Sequence, residues 1–194
     1  MSVKKQPKIE AQPILHQEGP VIQTFGTLVT YPIGLSERAR AASVEALNQV
    51  LVDAMTVRDL NKKAHWQVTG PTFYPLHLLF EEHFKEQNEL IDQIGERIQT
   101  LGGLAIAMAQ HVAERTRIET PPAGREQVPV LISRLIDATN LVIEDTRQAL
   151  RIAEENGDDG TVGLLSGVVI TQNEKQVWFL STHLVDTPLV RAHK

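Results

Sequence analysis

The chain has 194 residues, 42% of them hydrophobic and 22% charged, with a formal net charge of −5 at pH 7. These values are typical of one globular domain with a sizeable core, and the absence of cysteine excludes disulfides and thiolate metal sites. The negative charge argues against a body that binds nucleic acid through bulk positive charge. No apolar run has the length of a membrane span and no secretory signal is evident, so we expect a cytoplasmic protein without a membrane partner.

The two ends of the chain differ in pattern from its body. Residues 1–34 contain recurrent prolines and glycines without a helical or strand period, which predicts a flexible N-terminal arm. The β-branched piece 21–31 is a candidate strap that docks on the body in an extended conformation. Residues 35–186 are predicted to form the folded body, and residues 187–194 a short C-terminal tail.

Apolar periodicity predicts four long helices and one short helix in the body, delimited by capping residues and by glycine or proline breaks. In chain order the predicted helices cover residues 36–66, 72–101, 104–115, 126–156 and 158–185. Gly163 and Gly167 are expected to weaken the last helix locally. Four long helices with a short helix in the crossover between the second and third predict an all-α four-helix bundle of the ferritin-like kind.

The second predicted helix carries the candidate metal ligands, on the flank beside its apolar stripe. His77 and Glu81 form one i,i+4 pair there, and Asp92 and Glu96 form another. His65 lies at the end of the first helix, one short loop from His77. Imidazole and carboxylate ligands together suit a first-row metal such as iron, manganese or zinc better than calcium. His83, in contrast, lies on the apolar stripe and is predicted to be a hydrogen-bonded core residue.

The two ligand pairs cannot serve one ion within one subunit. Eleven residues from Glu81 to Asp92 span about 16 Å of helix, whereas metal–ligand bonds are near 2 Å. A two-fold axis near the middle of the helix would lay the His77/Glu81 pair of one subunit against the Asp92/Glu96 pair of its mate. The Glu-x-x-His motifs of a site inside one bundle do not occur in the sequence. The pattern therefore predicts two equivalent metal sites shared between subunits.

The motifs around these ligands resemble those of a known family. The run from His65 to His77 reads H-W-x-V-x-G-x-x-F-x-x-L-H, and D-x-x-x-E-R begins at Asp92, before the paired glycines that end the helix. This combination resembles the Dps proteins, the DNA-binding proteins from starved cells or mini-ferritins, over about residues 36–185. The resemblance implies a hollow homododecamer that oxidises Fe(II), typically with hydrogen peroxide, and stores the ferric mineral inside, protecting against oxidative damage.

The resemblance also implies the residues of a dinuclear ferroxidase site. One subunit would supply His65, His77 and Glu81, and its mate Asp92 and Glu96, so that these five residues are both the metal ligands and the catalytic residues for two iron ions. The Glu81 position is more often aspartate in the family, and the longer side chain alters the second iron position. Zinc takes the same ligand types and is expected to compete with iron.

An acidic turn between the third and fourth long helices is the second feature that the resemblance explains. In Dps shells this turn lines a three-fold pore that attracts Fe(II), and three copies of the cluster would concentrate cations. Gly163 stands where the family often has a further acidic residue. Without the resemblance, these carboxylates are helix caps and solvated surface groups. The predicted pore residues are Glu154, Glu155, Asp158 and Asp159.

DNA binding is the alternative function, as a nucleoid-associated coat with a minor iron role. It rests on Lys4, Lys5 and Lys8 near one end of the chain and Arg191 and Lys194 at the other. Twelve copies would make many weak phosphate contacts with a steep salt dependence. A third reading is a generic helical bundle with a structural zinc ion at an interface.

Overall fold

The computed structural model describes residues 19–185. The remaining parts of the predicted arm and tail, with the basic residues of the DNA-binding alternative, lie outside the described residues. In the described part of the chain, a π-helical turn (Leu165–Val169) joins the last two α-helices, and a 3₁₀ turn (Thr182–Leu184) follows the last one. The α-helices are α1 (Glu37–Gln67), α2 (Phe73–Thr100), α3 (Ala109–Arg115), α4 (Val128–Glu155), α5 (Asp159–Leu164) and α6 (Ile170–Ser181).

The long helices α1, α2 and α4 and the joined unit α5–α6 form a four-helix bundle. α1 packs against α2 and α4, and α4 packs against α6. The core between them is built from fully buried aliphatic side chains and one buried phenylalanine, among them Leu47, Leu51, Phe80, Ile94, Leu135 and Leu165. The predicted all-α four-helix bundle, with a short helix in the crossover between α2 and α4, is confirmed.

The crossover helix is shorter than predicted, because the chain after α2 is held as a loop by a buried side chain of α1. The amide of Asn48 donates to the carbonyl oxygen of Leu104 at 3.2 Å and accepts from the backbone N–H of Ile106 at 3.0 Å. These bonds take the place of helical ones over residues 104–108, so that α3 begins only at Ala109.

Local caps set the ends of the helices that carry the candidate ligands. The Ser36 hydroxyl accepts from the backbone N–H of Ala39 at 3.1 Å and starts α1. α2 ends at Thr100, two residues before Gly102, whose φ of 86° favours glycine. The N–H of Gly103 donates to the carbonyl of Ile98 at 3.0 Å. This is the hydrogen-bond pattern of a Schellman motif, so the paired glycines fix the length of α2.

The strap expected from the N-terminal sequence docks at that same helix end. The backbone N–H of Val29 donates to the carbonyl of Gly102 at 2.9 Å. Arg40, a buried residue of α1, donates to the carbonyls of Val29 at 2.7 Å and Leu101 at 3.0 Å. The strap therefore ties the first turn of α1 to the last turn of α2.

The last helix of the bundle is interrupted where its glycines were expected to weaken it. The π-helical turn Leu165–Val169 surrounds Gly167, and a π-turn adds one residue to the local repeat. The hydrogen bonding of the helix nevertheless continues into α6. Within residues 19–185, none of the helices combines the length and the apolar character that crossing a membrane requires.

Candidate metal centre

The turn between α1 and α2 brings His65 and His77 together. Gly70 reverses the chain with a φ of 99°, a conformation that favours glycine. The two imidazole rings stack with their centroids 3.8 Å apart. His65 Nδ1 lies 2.8 Å from the carbonyl oxygen of His77, and His77 Nδ1 lies 2.9 Å from the carbonyl oxygen of His65. We call this reciprocal pair of hydrogen bonds the histidine latch.

The histidine latch decides which nitrogen of each ring is available to a metal. A carbonyl oxygen can only accept a hydrogen bond, so each Nδ1 carries a proton and donates. The lone pair of each neutral ring is then on Nε2, which is the nitrogen left to bind a metal. The latch holds the rings by backbone carbonyls, so each ring keeps its orienting partner even when the other side chain is removed.

Glu81 lies beside the histidine latch, as the sequence predicted. Its Oε2 is 3.6 Å from Nε2 of His65, close to the separation of about 3.4 Å between neighbouring ligands of a tetrahedral ion with bonds near 2.1 Å. Two ammonium groups face the same carboxylate: Lys62 Nζ is 2.5 Å from Oε2 and Lys85 Nζ is 3.8 Å from Oε1. The hydrogen bond from Lys62 lowers the pKa of the Glu81 carboxyl, so the group is a carboxylate at neutral pH.

The other predicted pair lies far from the histidine latch in the same subunit. Asp92 and Glu96 are on the same unbroken helix as Glu81, about 16 Å further along its axis. Both side chains are exposed, and among the described residues neither carboxylate forms an ion pair or hydrogen bond. Over residues 19–185 the structure has no group of three or more histidine, aspartate or glutamate side chains placed to hold one ion. One subunit thus presents two separate halves of the predicted ligand set.

Exposed aromatic and aliphatic side chains surround the histidine latch. Trp66 is 69% exposed, Tyr74 67% and Leu78 49%, and the ring of Phe73 lies 5.2 Å from that of His77. Large apolar side chains that cluster on the surface of a single chain often mark a contact with another molecule. The latch therefore lies on a surface suited to a protein–protein contact.

The acidic turn between α4 and α5 divides into one buried and three exposed carboxylates. Asp158 is fully buried and pairs with Arg97 of α2. Its carboxylate also accepts from the backbone N–H of Thr161 at 3.1 Å and from its hydroxyl at 2.6 Å, and so caps α5. Burial alone would raise the pKa of Asp158, but the hydrogen bonds from Thr161 and the charge of Arg97 outweigh it and lower that pKa. The solvated members of the turn are Glu154, Glu155 and Asp159.

His83 is buried in the core at 2% exposure, which confirms the predicted burial. The hydrogen bond that was also predicted for its ring is not found among the described residues. Within residues 19–185 its Nδ1 has no hydrogen-bond partner, and the amide nitrogens of Gln87 and Gln176 donate to other groups. Burial lowers the pKa of His83 to about 4, so the ring is neutral in the folded protein at pH 7.

The two cations that face Glu81, Lys62 and Lys85, are not among the residues predicted from the sequence. Helical spacing places each lysine on the same helix face as one candidate ligand. Lys62 is three residues before His65 on α1, and Lys85 is four residues after Glu81 on α2. Only the packing of α1 against α2 shows that both ammonium groups meet one carboxylate.

Comparisons with known proteins identify the family. A family model for the ferritin-like domain matches residues 44–190. The chain is 30% identical over 141 residues to DNA protection during starvation protein 2 of Bacillus anthracis. The matched region covers 73% of this chain and 95% of that protein.

Solved structures agree with this result. DpsC from Streptomyces coelicolor is 48% identical, with a TM-score of 0.87, and the match covers 89% of this chain and 100% of that one. The Dps protein of Vibrio cholerae O1, described as a ferritin-like diiron-carboxylate protein, is 28% identical with a TM-score of 0.76, over 82% of this chain and 99% of that one. The expected ferritin-like bundle is confirmed, and the chain belongs to the Dps family of ferritin-like proteins.

Proposed function

We propose that the protein is a ferroxidase that oxidises Fe(II), with hydrogen peroxide as the oxidant, and stores the ferric product in a hollow homododecamer. Its dinuclear sites would be shared between two-fold related subunits. The observation that carries this proposal is the histidine latch, which leaves Nε2 of both imidazoles available to a metal and holds that of His65 3.6 Å from Glu81 Oε2. The exposed apolar side chains around the latch, and the carboxylates of Asp92 and Glu96 further along α2, support a second subunit as the source of the missing ligands.

The proposed ligands suit this chemistry. Imidazole binds Fe(II) well, and carboxylates hold both ferrous and ferric ions. Two Fe(II) ions would each give one electron to one peroxide, whose O–O bond breaks to leave both oxygens at the oxidation level of water. Because the two electrons are delivered at one site, no hydroxyl radical is released. Dioxygen is a second candidate oxidant, and zinc would compete for the same ligands.

Entry of iron into the shell is proposed to use the acidic turn around a three-fold axis. Three exposed carboxylates per subunit, those of Glu154, Glu155 and Asp159, support this role because clustered negative charge attracts cations. Asp158 contributes less to the proposed pore, since its carboxylate is buried and its charge is balanced by Arg97.

Iron oxidation kinetics test the proposed function. We expect peroxide-driven formation of the ferric product to be lost in His77→Ala and in Asp92→Ala, because each variant removes a ligand from opposite halves of the shared site. Glu89→Ala is the matched control, since Glu89 is an exposed carboxylate of the same helix that the site does not use. If either ligand variant oxidises iron at the wild-type rate, the proposed site is wrong.

The rival function is a DNA coat, and the name of the Bacillus anthracis relative is what favours it. On this ground we also propose that the protein works in the cytoplasm, in association with the nucleoid if it binds DNA. A gel-shift assay at low and moderate salt, with and without residues 1–20, tests the rival, because phosphate contacts weaken steeply with salt. The absence of any shift at low salt would exclude it.

A further inference from the structure

A groove of about 490 Å³ lies between α1 and the crossover that carries α3. We call it the crossover groove. Its volume is within the range of about 300–1,000 Å³ that is usual for pockets that bind small molecules. None of the five proposed metal ligands lines it, so it is separate from the proposed metal centre.

Small side chains on the crossover leave this space open. Alanine reaches little beyond the backbone, so α3 and the loop after it cannot fill the volume above α1, and α3 has no buried residue. The alanines of the crossover that line the groove are Ala107, Ala109, Ala113 and Ala123.

The inner surface of the groove suits an apolar chain. Leu60 and Ile118, which line it, are only 7% and 8% exposed. The hydroxyl of Thr116, another lining residue, donates to the carboxylate of Asp53 at 2.7 Å and accepts from the hydroxyl of Thr56 at 2.9 Å. Because these hydroxyls already have partners, an apolar chain can cover them without leaving a polar group unpaired.

Lys63 of α1 brings to the groove a cation that lacks a close carboxylate partner. Its Nζ is 4.0 Å from Oε2 of Glu126, and that carboxylate already accepts from Arg134 at 2.7 and 3.3 Å. Among the described residues, the hydrogen-bond acceptor of Lys63 is the carbonyl oxygen of Gly124, at a long 3.4 Å. The ammonium can therefore bind an anion without breaking a strong bond.

The other charged side chains of the groove balance each other. Nε and Nη2 of Arg58 both lie 2.8 Å from Oδ1 of Asp59. Arg58, Asp59 and Lys63 are the charged residues that line the groove. The groove therefore has a net charge of about +1, carried by Lys63, which favours an anionic ligand.

We propose that the crossover groove binds an amphipathic carboxylate, a small molecule with a linear apolar chain and one anionic end, such as a medium-chain fatty acid. The chain would lie against Leu60 and Ile118, and the carboxylate would accept a charge-assisted hydrogen bond from Lys63. The bound molecule would join the crossover to α1. This inference goes beyond the proposed function and does not rest on it.

Calorimetric titration of the full-length assembled protein with decanoate, below its micelle concentration, tests the inference. Acetate has the same carboxylate without the chain, and decyltrimethylammonium has the same chain with a positive end. We expect decanoate to bind at one site per subunit, at least about tenfold more tightly than either of the other two, because only decanoate offers both apolar burial and a partner for Lys63.

Two pairs of variants locate the binding site. Ala113→Phe should abolish decanoate binding, because the ring fills the groove, whereas Gln110→Phe adds the same ring to an exposed position of α3 outside the groove and should bind like the wild type. Lys63→Gln should weaken decanoate binding by about tenfold. Arg125→Gln, which removes an exposed charge outside the groove, should weaken it by less than about threefold.

Absence of decanoate binding to the wild-type assembly would overturn the inference, and so would equal affinities for decanoate and decyltrimethylammonium. Wild-type affinity in Ala113→Phe, with unchanged helicity and particle mass, would also contradict it. If Ala113→Phe failed to fold, Lys63→Gln would decide the matter, since an unchanged affinity in that variant would exclude the proposed anion contact.

Discussion

Acidification from pH 7 to pH 5 should destabilise the bundle through His83. The ring is buried between α2 and α6, with Phe179 6.4 Å away. The charged groups that act on it are Glu86, which favours the protonated ring, and Lys175, which opposes it. Burial dominates and lowers the pKa of His83 from an ordinary 6.5 to about 4. The folded state therefore resists a proton that the unfolded chain accepts.

The two pKa values of His83 give the size of the effect. A histidine whose pKa is lowered by folding contributes full stability above its ordinary pKa, and this contribution is lost as the pH falls toward the lowered value. With values of 6.5 and about 4, the unfolded state gains about 0.2 kcal/mol from the proton at pH 7 and about 2 kcal/mol at pH 5. Each subunit should thus lose about 2 kcal/mol through this group.

Guanidinium unfolding of the wild type and His83→Phe at both pH values isolates this contribution. Phenylalanine fills a similar volume without titrating, so the wild type should lose about 2 kcal/mol more than the variant between pH 7 and pH 5. His111→Gln should follow the wild type, because His111 is exposed. Equal losses in the wild type and His83→Phe, at the same protein concentration, would refute the reasoning.

Two further substitutions test the ends of the helices, with thermal unfolding as the measurement. Gly102→Ala should cost more than about 2 kcal/mol, because its Cβ would lie 2.1 Å from the carbonyl oxygen of Val29 at a φ of 86°. Gly124→Ala, where a Cβ meets nothing within 4 Å, should be nearly neutral, and equal effects would contradict the strap contact. Asp158→Asn should lower the free energy of unfolding by about 3 kcal/mol, because it breaks a buried ion pair. The stability that this carboxylate gives the wild type should be lost as the pH falls through its lowered pKa. Asp159→Asn, the exposed control, should change the free energy of unfolding by less than about 0.5 kcal/mol. If Asp159→Asn cost as much as Asp158→Asn, the loss would not come from the buried ion pair.

The four long helical segments of the bundle, their order and the core face of α2 could be predicted from the sequence, because apolar period and caps act locally. Leu76, Phe80 and Ile94 are buried as their spacing requires. The start of α3 could not be predicted, since it depends on Asn48, which is 56 residues from Leu104 in the chain. Local propensity contains no signal for such a distant hydrogen bond.

The candidate ligands could be named from spacing, but their surroundings could not. The positions of His65 and His77 followed from a short loop between two helices. The histidine latch did not, because it depends on the φ of Gly70 and on two backbone carbonyls. Likewise, the sequence shows an acidic turn, and only packing against Arg97 separates the buried Asp158 from its exposed neighbours.

Each metal site is proposed to take ligands from two subunits, and assemblies that mix two kinds of mutant subunit test this proposal. Subunits with His65→Ala/His77→Ala and subunits with Asp92→Ala/Glu96→Ala should each form inactive shells. In a random equal mixture, half of the two-fold pairs combine one of each, and each such pair contains one intact site of two, so about a quarter of the wild-type iron oxidation should return. No recovery in shells shown by mass spectrometry to be mixed would contradict the claim.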